Sequence, residues 1–232
     1  MDRILPHEEV MHVKLVSYTQ PVIDGISTPD ELVAYVARVS NPNNQLNTKT
    51  GPALIKYLIE HQHWSPLQMV DVTLEITTTR DIGRQILRHR SFEFQEFSQR
   101  YADPTNHLAF EYREARLQDT KNRQNSIETL DEELQRVWTE KQRWILGAVN
   151  ETYRWALDNN IAKEVARAVL PEGMTETRMY MKGSLRSWIT YCNLRMGPET
   201  QKEHREVAAE CWKIIETVVP SIIRGTNDTK TL

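Results

Sequence analysis

The chain has 232 residues, 39% hydrophobic and 26% charged, which is the composition of a globular protein with a substantial core. Its 29 Lys and Arg residues nearly balance 32 Asp and Glu residues, and the net charge of -3 excludes a general attraction to nucleic acid or to an acidic membrane. Cys192 and Cys211 follow no disulfide or metal-binding spacing, and we see no secretory or membrane-spanning segment, so we expect a cytoplasmic protein.

We predict alternating strands and helices in the first part of the chain. Apolar residues recur there every two residues, as in strands, or every 3.6 residues, as in helices. The helix that starts at Thr28 opens with a capping box, since Glu31 follows three residues later and Pro29 occupies the first helical position. The predicted elements are a strand at 12–19, a helix from Thr28 to Pro42, a helix from Thr50 with an apolar stripe of Leu54, Tyr57 and Leu58, a strand from Met69 to Thr79 and a helix from Thr79 to His89.

The next stretch, Arg88 to Tyr101, combines arginines, a histidine, glutamates and serines with Phe92, Phe94 and Phe97. The alternation allows polar groups to face one way while the rings anchor the segment. Guanidinium groups bind phosphate oxygens in bidentate fashion and keep their proton at neutral pH. The stretch therefore predicts a phosphate-binding ribbon, and the alternative is an ion-paired surface strand.

Helices dominate the rest of the chain. A long amphipathic helix of roughly thirty residues ends at Asn159 and is either an oligomer interface or a helix through the core of a monomer. We expect one domain over residues 1–232. The predicted elements are a short strand from Leu108 to Tyr112, a polar connector at 119–125, the long helix, a short helix from Ala162 to Leu170, a strand from Thr175 to Met181, a helix capped by Ser184 that ends at Met196, a last helix up to Pro220 and a frayed tail at 222–232.

The spacing of the residues disfavours several kinds of site. His61 and His63 have no third and fourth ligand at a metal-like spacing, so we expect no metal. Both cysteines lie inside predicted amphipathic helices, which favours core packing over nucleophilic catalysis. No glycine-rich phosphate loop occurs, which excludes a Rossmann dinucleotide site. Phosphate recognition then falls to arginines, and the candidates are Arg88, Arg90, Arg100, Arg167, Arg186 and Arg195.

Several segments spread over about residues 10 to 220 together form a specific pattern. Arg88-His89-Arg90, then seven residues, then Ser98 with Gln99-Arg100-Tyr101 resembles the signature of the flavin-dependent thymidylate synthase family. The other matching segments are His63-Trp64-Ser65-Pro66, Gln85, residues 164–171, residues 184–188 and Asn193-Leu194-Arg195. The chain departs from the family pattern at Gln68, Glu93, Gln95 and Thr190.

The resemblance implies a methyltransferase of nucleotide biosynthesis. In this family dUMP receives a methylene group from methylenetetrahydrofolate and a hydride from reduced FAD, giving dTMP, and NADPH reduces the flavin. The implied structure is an α+β fold with a small, mostly antiparallel sheet packed by several helices. The implied assembly is a homotetramer with shared active sites, with no nucleic acid or membrane partner.

The resemblance also implies roles for single residues. Arg195 matches the family residue that stabilises negative charge on the uracil ring, and no cysteine acts as nucleophile. The implied dUMP-binding residues are Gln85, Arg88, Glu96, Ser98, Arg100 and Arg167. The implied FAD-binding residues are His63, Ser65, Arg88, His89, Arg90, Glu96, Ser184, Arg186 and Thr190.

Two other functions stay open on the sequence. One is a nucleotide- or RNA-binding helical protein that uses the same arginines without chemistry, which the net charge of -3 disfavours. The other is a flavin-dependent oxidase of another nucleotide that lacks methyl transfer.

Overall fold

The computed structural model describes residues 11–224 and the backbone of residues 4–6. Its strands are β1 (Ile4–Pro6), β2 (His12–Tyr18), β3 (Asp71–Thr79), β4 (Glu93–Glu96), β5 (Phe110–Tyr112), β6 (Arg116–Gln118), β7 (Ser126–Glu128) and β8 (Glu176–Ser184). Its α-helices are α1 (Pro29–Ala37), α2 (Gly51–Glu60), α3 (Arg80–Ile86), α4 (Pro104–His107), α5 (Glu132–Asp158), α6 (Lys163–Ala166), α7 (Leu185–Arg195) and α8 (Lys202–Val218). Short 3₁₀ helices span Pro42–Asn44, Ser65–Met69 and Arg167–Val169.

The fold is α+β, as predicted, with a small antiparallel sheet and several helices. The strand order in the four-stranded sheet is β2, β3, β8, β4. Two smaller pairs accompany it: β1 lies parallel to β5, and β6 forms an antiparallel hairpin with β7.

The residues group into two compact units that are interleaved along the chain. Of the described residues, the first unit contains Ile4–Pro6, residues 11–12, Ile76–Arg88 and Gln95–Met179. The second contains Val13–Glu75, His89–Phe94 and residues 180–224. The expectation of a single domain over residues 1–232 stays a prediction.

The core of the second unit forms around β3, the strand with the clearest alternation in the sequence. Val70, Val72 and Leu74 are completely buried, which confirms the predicted half-buried strand. The indole N–H of Trp188, on α7, donates to the carbonyl oxygen of Val72 at 3.1 Å. This bond satisfies a buried polar group and fixes α7 against the sheet.

The first unit is built on α5, which confirms the predicted long helix at 27 residues. Asp131 caps it, because its carboxylate accepts from the backbone N–H of Leu134 at 2.9 Å. The buried face of the helix presents Leu146 and Tyr153, and the cluster around them consists of Phe110, Ala156, Ala166 and Leu170.

Local capping signals in the sequence are confirmed. Thr28 and Glu31 form the predicted capping box of α1, and the Ser184 hydroxyl accepts from the backbone N–H of Ser187 at the start of α7. The polar connector at 119–125 is the loop of the β6–β7 hairpin. The two short strands of this hairpin were not predicted, because their residues show no clear alternation.

The predicted end of the first helix is wrong, and the predicted apolar stripe of the second helix is only partly right. The first helix ends at Ala37 rather than near Pro42, and the apolar stripe of α2 is Ile55, Leu58 and Ile59, because Tyr57 is turned outward. Of the predicted frayed tail, Ile222 is buried, and residues 225–232 lie outside the described part of the chain. Within that part, no helix combines the length and apolar character needed to cross a membrane.

Gly183, on β8, is required by a close approach of an aromatic ring. A Cβ at this position would lie 2.4 Å from Cδ1 of Phe92, a ring that is itself packed on Trp188 at a centroid distance of 4.8 Å. The Phe92 ring therefore cannot move away from an added Cβ without disturbing its packing on Trp188. We predict that Gly183→Ala lowers the free energy of unfolding by about 1–3 kcal/mol, as measured by urea denaturation.

The matched control is Gly147→Ala in α5, where the added Cβ meets no atom within 4 Å. Replacing glycine by alanine inside a helix should raise the free energy of unfolding by about 0.5–1 kcal/mol. A Gly183→Ala protein as stable as the Gly147→Ala protein would contradict the packing described for Phe92.

Candidate functional site

The residues predicted to bind dUMP all belong to the first unit. They are Gln85, Arg88, Glu96, Ser98, Arg100 and Arg167. Most residues predicted to bind FAD belong to the second unit, as does the predicted catalytic residue. They are His63, Ser65, His89, Arg90, Ser184, Arg186, Thr190 and Arg195. Arg88 and Glu96, predicted for both ligands, lie in the first unit.

Arg195 and His89 are brought into direct contact although they are far apart in sequence. The Nε–H of Arg195, in the last turn of α7, donates to Nε2 of His89 at 2.9 Å. An arginine Nε in this role is always a donor, so Nε2 of His89 must offer its lone pair and the ring carries its proton on Nδ1. No carboxylate within the described residues forms a salt bridge with Arg195.

This geometry leaves the positive charge and the terminal amino groups of Arg195 available to a ligand. A neutral imidazole orients the guanidinium, so no negative charge compensates its positive charge. Both terminal amino groups can face a ligand while Nε is held. The arrangement suits stabilisation of negative charge that develops on a bound group.

A cavity of about 560 Å³ lies at the N-terminus of α7. Ser184, Arg186 and Thr190, all predicted FAD ligands, line it. Thr190 donates its hydroxyl to the carbonyl oxygen of Arg186 at 3.0 Å, and the Arg186 side chain is exposed. Helix N-terminal N–H groups and a guanidinium together form a site for an anionic group.

Charges among the other residues that line this cavity compensate one another. Lys182 lies 3.3 Å from a carboxylate oxygen of Asp71 and 3.7 Å from one of Glu93. The hydrogen bond to Asp71 and the nearby carboxylates raise the pKa of Lys182 above its usual range. Glu93, the departure from the family signature, is thus directed at Lys182. Arg186 has no carboxylate partner among the described residues.

Groups of the second unit, at this cavity and elsewhere, fit a flavin dinucleotide. FAD carries two linked phosphates, and the second unit offers Arg186 and the exposed Arg90 as cations without a carboxylate partner in the described chain. His63 and Ser65 lie exposed at the turn after α2, where the His63 ring meets Tyr57 edge-on at 5.9 Å. These groups can hold phosphates and a flat ring system without a glycine-rich loop.

Glu96 is held by three groups of the first unit. Thr177 donates its hydroxyl to Oε1 at 2.9 Å, and the guanidinium groups of Arg80 and Arg84 lie 3.6 and 3.7 Å from the carboxylate. Burial lowers the pKa of Arg80, and the charge of Glu96 opposes that shift. Thr177 and Arg80 were not predicted as site residues, because their partner in each case is remote in sequence.

The remaining arginines of the first unit differ in their pairing. Arg100 is bound to Glu164, with Nε and a terminal nitrogen 3.1 and 3.0 Å from the same carboxylate oxygen. Arg88 is exposed and Arg167 half-buried, and neither has a carboxylate partner among the residues described. Ser98 is exposed, and Gln85 is half-buried near the end of α3. These guanidinium groups suit phosphate recognition.

Both cysteines are buried free thiols, which confirms the prediction of core packing. Burial raises the pKa of Cys192 and of Cys211, so both stay protonated near neutral pH. The described residues contain no group of three or more His, Cys, Asp or Glu side chains suited to a metal ion.

Comparison with known proteins identifies the fold and the family. Residues 14–221 match the family model described as thymidylate synthase complementing protein. The chain also resembles the solved structure of a UMP/dUMP methylase, PolB from Streptomyces cacaoi bound with 5-Br dUMP, with a TM-score of 0.76, 24% identity and coverage of 91% of this chain and 92% of that one. At this level of identity the likeness concerns the fold alone.

Two relatives match nearly end to end. A probable flavin-dependent thymidylate synthase of Paramecium bursaria Chlorella virus 1 is 48% identical over 219 residues, covering 93% of this chain and 98% of the relative. A flavin-dependent thymidylate synthase of Synechocystis is 48% identical over 215 residues, covering 91% and 97%. The predicted family is therefore confirmed, and the chain belongs to the thymidylate synthase complementing proteins, the family of the flavin-dependent thymidylate synthases.

Proposed function

We propose that this chain converts dUMP to dTMP with methylenetetrahydrofolate as one-carbon donor, FAD as hydride carrier and NADPH as reductant. As a member of its family the chain is an enzyme of the methyltransferase class. The observation that carries the proposal is the bond from Arg195 to a neutral His89, because it presents an oriented and uncompensated cation. Reductive methylation of uracil needs such a group.

The substrate phosphate is assigned to arginines of the first unit. Arg88 and Arg167 bind it as unpaired guanidinium groups, and Arg100 joins them by exchanging Glu164 for the phosphate. Gln85, Ser98 and Glu96 supply hydrogen bonds to the nucleoside, with Glu96 held in place by Thr177. These assignments follow the family motif residue by residue.

The flavin is assigned to the groups around the α7 cavity. Arg186, Ser184 and Thr190 line that cavity, and Arg90, His63 and Ser65 contribute from the same unit. His89, Arg88 and Glu96 complete the assigned set. When bound, FAD supplies the hydride that turns the transferred methylene group into a methyl group.

Arg195 activates the uracil ring. Carbon C5 attacks the one-carbon unit only when negative charge builds on the ring, and a fixed guanidinium stabilises that charge. As C5 bonds to the methylene carbon and the bond from that carbon to the folate nitrogen breaks, tetrahydrofolate leaves and the C5 proton is lost to solvent. The thiols of Cys192 and Cys211 are buried and protonated, which supports a reaction without a cysteine nucleophile.

Self-association as a homotetramer is supported by the outer face of α5. Trp144 and Trp155 are 75% and 60% exposed, and their spacing of about three helical turns places them on one face. Ile145 and Leu134 add further exposed apolar surface on the helix. Exposed aromatic residues of this size mark a protein interface, and we assign it to a second copy of the chain.

The proposed function predicts a yellow protein that releases tritium from C5-labelled dUMP when methylenetetrahydrofolate, FAD and NADPH are present. In Arg195→Ala the release should fall by at least roughly a hundredfold, because an oriented donor to developing charge is removed. Arg195→Lys should remain impaired, since lysine keeps the charge but cannot reproduce the planar fork. Flavin content, read from the visible spectrum, should stay unchanged.

The control is Arg143→Ala, which removes an exposed arginine of α5 and should leave the rate at the wild-type level. Two results would contradict the proposal. One is a wild-type protein that gains no flavin spectrum on adding FAD, and the other is wild-type turnover in Arg195→Ala.

The interface assignment predicts that Trp144→Glu combined with Trp155→Glu lowers the molar mass measured by light scattering, because charge replaces apolar contact surface. The circular dichroism spectrum should be retained, since both side chains are turned away from the core. Arg143→Glu, a charge change on the same helix, should keep the mass of the wild-type assembly. A double variant with unchanged mass would place the interface elsewhere.

A further inference from the structure

A buried polar pair lies behind His89 in the second unit. Tyr191, on α7, is 1% exposed, and His204, on α8, is completely buried. The Tyr191 hydroxyl lies 3.1 Å from Nε2 of His204. Neither residue belongs to the sets assigned above to dUMP or FAD.

Both members of this pair are neutral. Burial, with the charge of Arg195 as a further cause, lowers the pKa of His204 to about 3, and burial raises the pKa of Tyr191. The hydrogen bond therefore joins a phenol to an uncharged imidazole and adds no charge beside Arg195. A carboxylate in the place of His204 would have compensated the guanidinium.

The Tyr191 ring connects this pair to His89. Its centroid lies 4.9 Å from that of the His89 imidazole, with the planes at 86°. Phe92 and Trp188 pack around the same ring at 5.8 and 6.0 Å. The orientation of the Tyr191 ring thus limits the orientations open to His89, whose Nε2 must point at Arg195.

Core packing alone gives no reason for these residue types. A buried hydroxyl and a buried imidazole must be desolvated, whereas apolar side chains of similar volume would fill the space without that cost. A hydrogen bond between two buried side chains does, however, favour one geometry. The Tyr191 ring of this pair is in contact with His89, the imidazole that orients Arg195.

We propose that Tyr191 and His204 are positioning residues for the reaction: their hydrogen bond fixes the Tyr191 ring, the ring fixes His89, and His89 aims Arg195. This inference rests on the proposed function for its kinetic consequence. The structural part of the inference does not depend on that function: it states that the Arg195–His89 contact depends on the Tyr191 hydroxyl.

Tyr191→Phe is the primary test, because it removes the hydroxyl and keeps the ring. His204→Leu removes the same bond from the other side, and His204→Gln retains a polar nitrogen that can meet the hydroxyl. The matched control is Tyr153→Phe, since the Tyr153 hydroxyl is buried and has no hydrogen-bond partner among the described residues. Thermal unfolding establishes that each protein is folded.

The kinetic readouts are kcat, the KM for dUMP and the flavin content. Tyr191→Phe and His204→Leu should each lower kcat about tenfold, with KM and flavin content within about twofold of wild type, because Arg195 acts mainly on charge that develops in the reaction. His204→Gln should recover most of the rate lost in His204→Leu. A kcat for Tyr191→Phe equal to that of Tyr153→Phe would overturn the inference, as would a loss confined to KM.

Crystal structures of the two Tyr→Phe proteins give a readout that does not depend on activity. The distance from Nε of Arg195 to Nε2 of His89 should stay near 2.9 Å in Tyr153→Phe and lengthen beyond hydrogen-bonding distance in Tyr191→Phe. An unchanged distance in both would refute the positioning role. A wild-type protein that makes no dTMP would instead refute the proposed function.

Discussion

The hydrogen bond between Arg195 and His89 is the interaction on which the proposed site depends. It joins the end of α7 to the segment that follows Arg88, 106 residues away in sequence, and it does so through a neutral acceptor. An arginine paired with a carboxylate would be equally well oriented but would have its charge compensated. The choice of imidazole therefore favours catalysis over electrostatic stabilisation of the fold.

The same distinction separates the other arginines. Arg80, Arg84 and Arg113 are paired with carboxylates and organise the first unit. Arg88, Arg90, Arg167 and Arg186 have no carboxylate partner among the described residues, and all four are residues that we propose bind phosphate-bearing ligands. Cations kept without partners in a protein with net charge -3 indicate local anion sites rather than a general attraction to polyanions.

Sequence patterns predicted what depends on neighbouring residues. The alternation in β3, the capping box at Thr28 and the 27-residue length of α5 follow from local rules, and the structure confirms them. The sequence did not predict three other features, because each depends on contacts between segments with no local pattern. They are the β6–β7 hairpin, the Thr177–Glu96 bond and the Tyr191–His204 pair. Periodicity placed Tyr191 on a helix but gave no sign that its hydroxyl meets a histidine of the next helix.

The position of one proton tests this account most directly. A neutron diffraction structure of the deuterated protein would locate the deuterium atoms on Arg195 and His89. We predict deuterium on Nδ1 of His89 and none on Nε2, with the Arg195 Nε–D bond directed at Nε2. Deuterium on Nε2, or an Arg195 side chain turned toward a carboxylate, would contradict the claim that a neutral imidazole orients an uncompensated cation.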